Sequence, residues 1–346
     1  MINCLIVGCG RIFAKHLEAF HSLKDKIKLV AICDIDKKVL KNLKHIKNIP
    51  FYNSIEKAII KTNPDLVIIL TPSGLHAKNA LIALKYKKHV IIEKPMCLKI
   101  SDAKKIIHLS KKVKKKAFVV MQNKFNLPVI KLREDIRRNN FGRIFHASVI
   151  VRWMRDYNYY NQAKWRGTWK YDGGVISNQA SHHLDLLRTI MGNPVSVFAK
   201  SSNYLSQIEA EDTALIIFKF KKKKTAIMEA TTAMRPKNIE GSISIMGTKG
   251  SAKIGGFAMN KIEYYYSKKK ISLKKYNTYP KNVYGYGHTK FYEHVIESVA
   301  KNFKSEFECT EAFKTVQLIN AIYKSIENKK EIFLKKEKIV SSRLGI

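Results

Sequence analysis

The run Leu66-Val67-Ile68-Ile69-Leu70 has no polar position on either face. A strand built from it must therefore be covered on both sides, as in parallel sheets with helices packed on each face. The pattern around it agrees. Ile2–Val7, Lys28–Asp34, Leu66–Thr71, His89–Glu93 and Ala117–Met121 read as strands, with a short extended piece at Phe51-Tyr52. Helical stretches separate them at Ala14–Leu23, Lys37–Leu43, Ile55–Lys61 behind a Ser54 cap, His76–Tyr86 and Ser101–Lys114, the last opened by Ser101 and Asp102. This alternation predicts a doubly covered parallel α/β domain over residues 1–122.

From Pro128 the period changes. Val129–Asn139 reads as a helix, Phe145–Trp153 as an alternating strand, Arg155–Asp172 as a polar and aromatic loop, and Ile176–Met191 as a helix. Val195–Ser202, Asp212–Phe220, Thr225–Thr232, Ser242–Gly247, Ser251–Ile254, Lys261–Tyr266 and Ile271–Lys275 read as strands. Gly287–Asn302 and Thr310–Asn328 close the chain as helices. Residues 123–346 are thus expected to form an α+β domain with a large, open, mostly antiparallel sheet. No internal repeat or disordered linker stands out.

Composition narrows the function classes. The formal net charge is +38, which would suit a polyanion. The excess, however, is mostly Lys rather than Arg, and its clusters (Lys111–Lys116, Lys221–Lys224, Lys268–Lys270, Lys335-Lys336) are scattered. With no nucleic-acid motif beside them, they argue for long-range attraction of small anions rather than a nucleic-acid interface. The five cysteines, Cys4, Cys9, Cys33, Cys97 and Cys309, show no C-x-x-C spacing. Buried thiols are expected, not disulfides or a cysteine zinc site. No apolar stretch reaches membrane-spanning length, and no secretory leader is apparent, so a cytoplasmic protein without a membrane partner is expected.

The turn after the first strand reads Gly8-Cys9-Gly10-Arg11-Ile12-Phe13. It matches the G-x-G-x-x-G dinucleotide fingerprint except at Phe13. The two glycines allow a tight turn and close approach of a pyrophosphate to a helix N-terminus, with Arg11 and Ile12 alongside. Asp34 ends the second strand. A carboxylate there can accept both ribose hydroxyls and repels a 2′-phosphate, so NAD is expected rather than NADP.

Two further motifs follow strands whose carboxyl ends face the cofactor in such a fold. One is Thr71-Pro72-Ser73-Gly74-Leu75-His76 and the other Glu93-Lys94-Pro95. Thr71, Pro72, Ser73, His76, Glu93, Lys94 and Gln122 accordingly join the candidate cofactor residues. A lysine fixed at a strand's end can polarise a hydroxyl or shuttle a proton. In the second domain, Gly173-Gly174 precedes Asn178, His182 and Asp185. Their i, i+4, i+7 spacing puts amide, imidazole and carboxylate on one face of a helix, with His183 turned about 100° away. The adjacent histidines are poor ligand geometry, and no H-E-x-x-H occurs, so no metal is expected.

Taken in order, GCGRI, Asp34, TPSGLH, EKP and the glycine pair leading to His182 and Asp185 resemble the Gfo/Idh/MocA oxidoreductases. The resemblance runs over nearly the whole chain. It implies an N-terminal Rossmann domain, a C-terminal α/β domain whose open sheet supports dimers or tetramers, and hydride transfer between nicotinamide and a sugar or cyclitol carbon. By position it makes Lys94 and His182 the catalytic residues. Many members carry Asp where this chain has Asn178. An amide cannot act as a base, so that role falls to His182 or Lys94, and Asn178 would orient a hydroxyl.

The segment from Arg152 to Trp169, with Asn178–His183, is similar to a branch that oxidises UDP-N-acetylglucosaminuronic acid at C3 for bacterial surface polysaccharides of the lipopolysaccharide type. Arg152, Arg155, Tyr159, Asn161, Trp165 and Thr168 offer the cations, donors and ring faces that a charged nucleotide sugar needs. Asn178 and Asp185 complete the expected substrate residues. The resemblance also suggests 2-oxoglutarate as an electron acceptor. Rival readings are an inositol or free-sugar dehydrogenase and a non-catalytic NAD-binding sensor.

Overall fold

The computed structural model describes residues 1–346 except 44, 45, 47, 268–272 and 336–338. The chain forms two compact units, the first made of residues 1–121 and 288–316, the second of 122–287 and 317–346. The expected division near residue 122 is a single cut. By contacts, the late segment 288–316 packs with the first unit.

The first unit carries β1 (Ile2–Val7), α1 (Phe13–Ser22), β2 (Ile27–Cys33), α2 (Lys37–Asn42), β3 (Phe51–Tyr52), α3 (Ile55–Thr62), β4 (Leu66–Ile69), α4 (His76–Lys85), β5 (His89–Ile92), α5 (Ile100–Lys112) and β6 (Ala117–Val119). The strands form one parallel sheet in the order β3-β2-β1-β4-β5-β6. Leu66 through Ile69 are almost wholly buried, as an all-apolar run on a doubly covered strand requires. The returning segment adds to this core. Tyr292 is fully buried, and the Val119 N–H donates to the Phe307 carbonyl at 2.8 Å. One helix start differs from expectation. α5 begins at Ile100 behind Lys99 with no side-chain cap, so Ser101 and Asp102 lie inside its first turn.

The second unit contains α6 (Leu127–Arg137), β7 (Ile144–Arg152), α7 (Tyr157–Asn161), α8 (Ser181–Met191), β8 (Ser196–Ser202), β9 (Thr213–Lys219), β10 (Thr225–Thr231), β11 (Glu240–Gly247), β12 (Gly250–Gly255) and β13 (Lys261–Tyr266). After these come α9 (Gly287–Ala300), most of which packs with the first unit, then α10 (Cys309–Asn328) and β14 (Ile332–Phe333). The sheet runs β13-β12-β11-β7-β10-β9-β8-β14 and is antiparallel except for the parallel β7–β10 pair. The inner face is apolar by simple alternation, with Ala214, Ile216 and Phe218 buried on β9. The strand expected at Ile271–Lys275 lies outside the described residues at 271 and 272, and Lys274–Tyr276 is a 3₁₀ turn. Among the described residues no helix is long and apolar enough to cross a membrane.

Candidate active site

In the first unit, the glycine turn has the shape a dinucleotide needs. Gly8 has φ +95°, and a Cβ there would lie 2.8 Å from the Leu70 carbonyl carbon and the Thr71 nitrogen. Glycine is therefore required on two counts, conformation and space. At Gly10 a Cβ would meet nothing within 4 Å, so the backbone faces open room there. α1 starts at Phe13, buried in the position of the missing third glycine, and no side chain caps its N-terminus. Its first turn carries no carboxylate, which leaves the positive end of the helix dipole for an anion. Asp34 Oδ2 accepts the Cys9 N–H at 2.7 Å and Oδ1 the Asp36 N–H at 2.9 Å. Those bonds fix the carboxylate at the end of β2, and each oxygen keeps lone-pair capacity for a ribose hydroxyl. The residues present fit NAD.

The two later loops are tied together through His76. Its Nδ1 lies 2.7 Å from the Pro95 carbonyl and its Nε2 2.7 Å from the Thr71 carbonyl. Burial lowers the pKa of this imidazole, and the two carbonyls resist that shift. His76 thus holds the Thr71 loop against the Glu93–Pro95 loop. Thr71 Oγ1 accepts from Asn79 at 3.1 Å, and Ser73 begins a 3₁₀ turn into α4. Lys94 is half-buried, and the Lys94–Pro95 peptide is cis.

Glu93 anchors the lysine from behind. Its Oε2 accepts the Lys94 N–H at 3.0 Å, and its Oε1 meets His16 Nε2 at 3.1 Å. His16 Nδ1 in turn meets the Tyr292 hydroxyl at 2.7 Å. Burial opposes the Glu93 charge. The His16 hydrogen bond and the nearby His16, His288 and Lys94 charges outweigh it and lower the carboxyl to about 2. His288 stacks edge-on to His16, and burial holds it at about 3. Ligand atoms of His16, Glu93 and His288 all lie within 4.8 Å of one another, a spacing a cation could bridge. Sequence reasoning missed this cluster. The available signal was His16 on the buried stripe Phe13, His16, Ala19, Phe20 of α1.

In the second unit, α8 begins at Ser181 rather than Ile176. The Val175 N–H bonds to the Glu211 carbonyl and the Ile176 N–H to its carboxylate, drawing residues 174–180 into turns. Asn178 therefore precedes the helix and does not share its face with His182 and Asp185. Its amide donates to Asp172, which also accepts the Gly167 N–H. His182 is buried in the first turn of α8. His183 packs against Trp153 at 5.5 Å, its ring nitrogens have no hydrogen-bond partner, and burial lowers it to about 3.

The remaining expected substrate residues divide in two. Asp185 and Arg152 are engaged by protein charges. Asp185 pairs with Lys124 at 2.8 Å and Arg188 at 3.0 Å. Arg152 makes a bidentate bond to Glu229 at 2.7 Å on both arms. Both side chains are thus held by ion pairs within the protein. Arg155 instead joins Tyr159 and Gln179. Its Nη2 donates to Gln179 Oε1 at 3.0 Å, Gln179 Nε2 donates to the Tyr159 hydroxyl at 2.9 Å, and both guanidinia of Arg155 and Arg166 stack on the Tyr159 ring. Trp165 is half-buried beside Arg166, the Thr168 hydroxyl closes a turn onto the Trp165 carbonyl, and Asn161 is exposed at the end of α7. Gln122 is buried, and its Oε1 has no protein partner.

Glu211, not foreseen, supports the turn that carries Asn178. Burial raises its carboxyl from 4.5 to about 7, against the Ile176 N–H and the Tyr323 hydroxyl, which favour the ion. Between 4.5 and about 7 the folded chain binds the proton that the unfolded chain has lost. Its contribution to stability is then complete below pH 4.5 and is lost as pH rises through 7. Glu211→Gln should flatten that decline, seen as a smaller fall in Tm across the same window. A parallel fall in both proteins would remove Glu211 from the account.

Comparison with known proteins bears on both units. The family model described as an oxidoreductase family NAD-binding Rossmann fold, of the Gfo/Idh/MocA type, matches residues 2–121. Its companion, the C-terminal alpha/beta domain, matches residues 133–334. The structure of the WlbA dehydrogenase from Bordetella pertussis in complex with NADH and UDP-GlcNAcA is similar at TM-score 0.92 and 33% identity, over 96% of this chain and 97% of that one. The WlbA structure from Chromobacterium violaceum, with the same two ligands, is similar at TM-score 0.90 and 34% identity, over 97% of each chain. A 1-carboxy-3-chloro-3,4-dihydroxycyclohexa-1,5-diene dehydrogenase from Comamonas testosteroni is 30% identical over 59% of this chain. The match spans 50% of that relative's length.

Proposed function

Because the chain belongs to the Gfo/Idh/MocA oxidoreductase family and is an NAD-dependent dehydrogenase, we propose that it oxidises the C3 hydroxyl of UDP-N-acetylglucosaminuronic acid to the 3-keto sugar. The observation that carries this reading is the Arg155–Gln179–Tyr159–Arg166 cluster. It combines cations, an amide and a ring face, the chemistry that recognises an anionic sugar. The full-length likeness to two dehydrogenases solved with UDP-GlcNAcA supports the same substrate.

In this reading NAD, when bound, supplies the hydride acceptor. Gly8, Gly10, Arg11, Ile12 and Asp34 hold its phosphate and ribose portions, with the Thr71–Ser73 turn, His76, Glu93 and Gln122 as the remaining cofactor residues. His182 takes the proton of the C3 hydroxyl through its imidazole. Lys94 donates a hydrogen bond to that oxygen. Asn178 orients a neighbouring hydroxyl. The 3-keto product is a substrate for an aminotransferase in surface-polysaccharide assembly, and 2-oxoglutarate can serve as the electron acceptor that returns NADH to NAD.

The assay is incubation of the protein with NAD, 2-oxoglutarate and UDP-N-acetylglucosaminuronic acid, followed by mass spectrometry. A sugar nucleotide lighter by two hydrogens is the expected product. Folded, NAD-binding protein that yields none would sink the substrate.

The same reading includes a homo-oligomer through the outer face of the large sheet. Ile217 and Ile227 sit opposite each other on β9 and β10, both about half exposed, with Leu215 beside them. An exposed apolar stripe of this kind is suited to a second copy. Ile217→Lys should lower the mass measured by light scattering. An unchanged mass would place the interface elsewhere.

A further inference from the structure

His16 lies on the buried face of α1, and both its ring nitrogens are engaged. Proton counting gives the direction of each bond. The Glu93 carboxyl is held at about 2, so it is ionised and its oxygens only accept. Oε2 takes the Lys94 N–H at 3.0 Å. Nε2 of His16 must then carry the hydrogen that Oε1 receives at 3.1 Å. With the ring neutral, Nδ1 is bare and accepts the Tyr292 hydroxyl at 2.7 Å. Burial pushes that phenol well above its ordinary range, so it keeps its hydrogen. The result is one directed chain, Tyr292 to His16 to Glu93, with the Lys94 N–H on the far carboxylate oxygen.

α9 holds the imidazole from two sides. His288 and Tyr292 stand four residues apart, on one face of that helix. Both rings meet His16 edge-on, with centroids 5.2 and 5.7 Å away. All five residues belong to the first unit. Burying a carboxylate and two imidazoles costs free energy that an apolar core would not. What the arrangement fixes is the nitrogen bonded to the Lys94 Cα, at the end of β5. We propose that His16 is a positioning residue for Lys94: it orients the Glu93 carboxylate that holds the Lys94 backbone, and α9 anchors it through Tyr292. The inference rests on Lys94 as the donor to the reacting oxygen. It deepens that reading by making the aim of the lysine depend on a helix from the returning segment.

The test compares His16→Leu, His16→Gln and Tyr292→Phe in the full chain, using the assay with NAD, 2-oxoglutarate and UDP-N-acetylglucosaminuronic acid. NADH affinity and Tm are measured alongside. His16→Leu should lower kcat about ten- to a hundredfold, the cost of a misplaced catalytic group, and leave NADH affinity unchanged. His16→Gln, whose amide can donate to Glu93 as Nε2 does, should return most of that loss. Tyr292→Phe should lower kcat less, and should lower it no further when added to His16→Leu, as links of one chain require. A merely structural role gives a different result: Tm falls in His16→Leu, while kcat either holds or falls alike in the Leu and Gln variants. Either outcome would overturn the positioning role, as would a loss of NADH affinity equal to the loss of kcat. If the unaltered protein turned over no UDP-N-acetylglucosaminuronic acid, the substrate reading would fail separately, and Lys94 itself then decides. Competitive acetylation with acetic anhydride, read by peptide mass spectrometry, measures its reactivity against the other lysines of the chain. A rate at Lys94 that changes in His16→Leu and returns in His16→Gln upholds the role. One rate in all three proteins overturns it.

Discussion

His182→Ala lowers kcat by about 10²–10⁴-fold, the usual contribution of a positioned general base, and leaves NADH affinity unchanged. The separation follows from where the groups lie. His182 is in the first turn of α8 in the second unit. The glycine turn and Asp34, with the hydrogen bond from Cys9, are in the first. In the proposed mechanism the substitution removes the proton acceptor and leaves the residues of the dinucleotide turn unaltered. Stopped-flow absorbance of NADH formation reads the first quantity, and fluorescence titration with NADH reads the second. Turnover near that of the unaltered protein would transfer the base role to Lys94. Loss of NADH binding would mean that the residue acts through the fold.

The second large effect is on stability. Asp185 and Lys124 form an ion pair with side chains 3% and 5% exposed, and Arg188, 8% exposed, shares the same carboxylate. Asp185→Ala strands two cations in a dry site and should cost about 3–5 kcal/mol. Asp185→Asn retains a hydrogen-bond acceptor and should cost less. The decisive variant is the triple substitution Asp185→Leu with Lys124→Met and Arg188→Met. Removing all three charges of a buried triad is often near neutral, so this protein should regain much of the Tm lost by Asp185→Ala. If the triple variant were as unstable as the single one, the triad would matter for its hydrogen bonds to neighbours rather than for charge burial.

These two residues also show how far the chain could be read without coordinates. The parallel sheet was legible because Leu66–Ile69 can be buried only on both faces, and the antiparallel sheet because β9 and β10 alternate cleanly. The glycine turn and Asp34 were legible because their chemistry is local. Asp185 was placed in the right helix, but its partner Lys124 lies 61 positions earlier, and no periodicity links them. Asn178 was placed on a helical face that does not exist there, because residues 174–180 form turns and α8 begins only at Ser181. The His16–Glu93–His288 cluster joins residues from α1, the end of β5 and α9, a gathering that only the fold performs.

That last gathering has a consequence for the order of events on the ribosome. Tyr292 and Phe307 belong to the core of the first unit, yet the whole of residues 122–287 is synthesised before them. Domains generally fold as units as they emerge, but here neither unit is complete when its first segment leaves the ribosome. The first waits for residues 288–316 to supply Tyr292 and the Phe307 carbonyl that the Val119 N–H meets, although every strand of its sheet is made by residue 119. The second waits longer still, for residues 317–346.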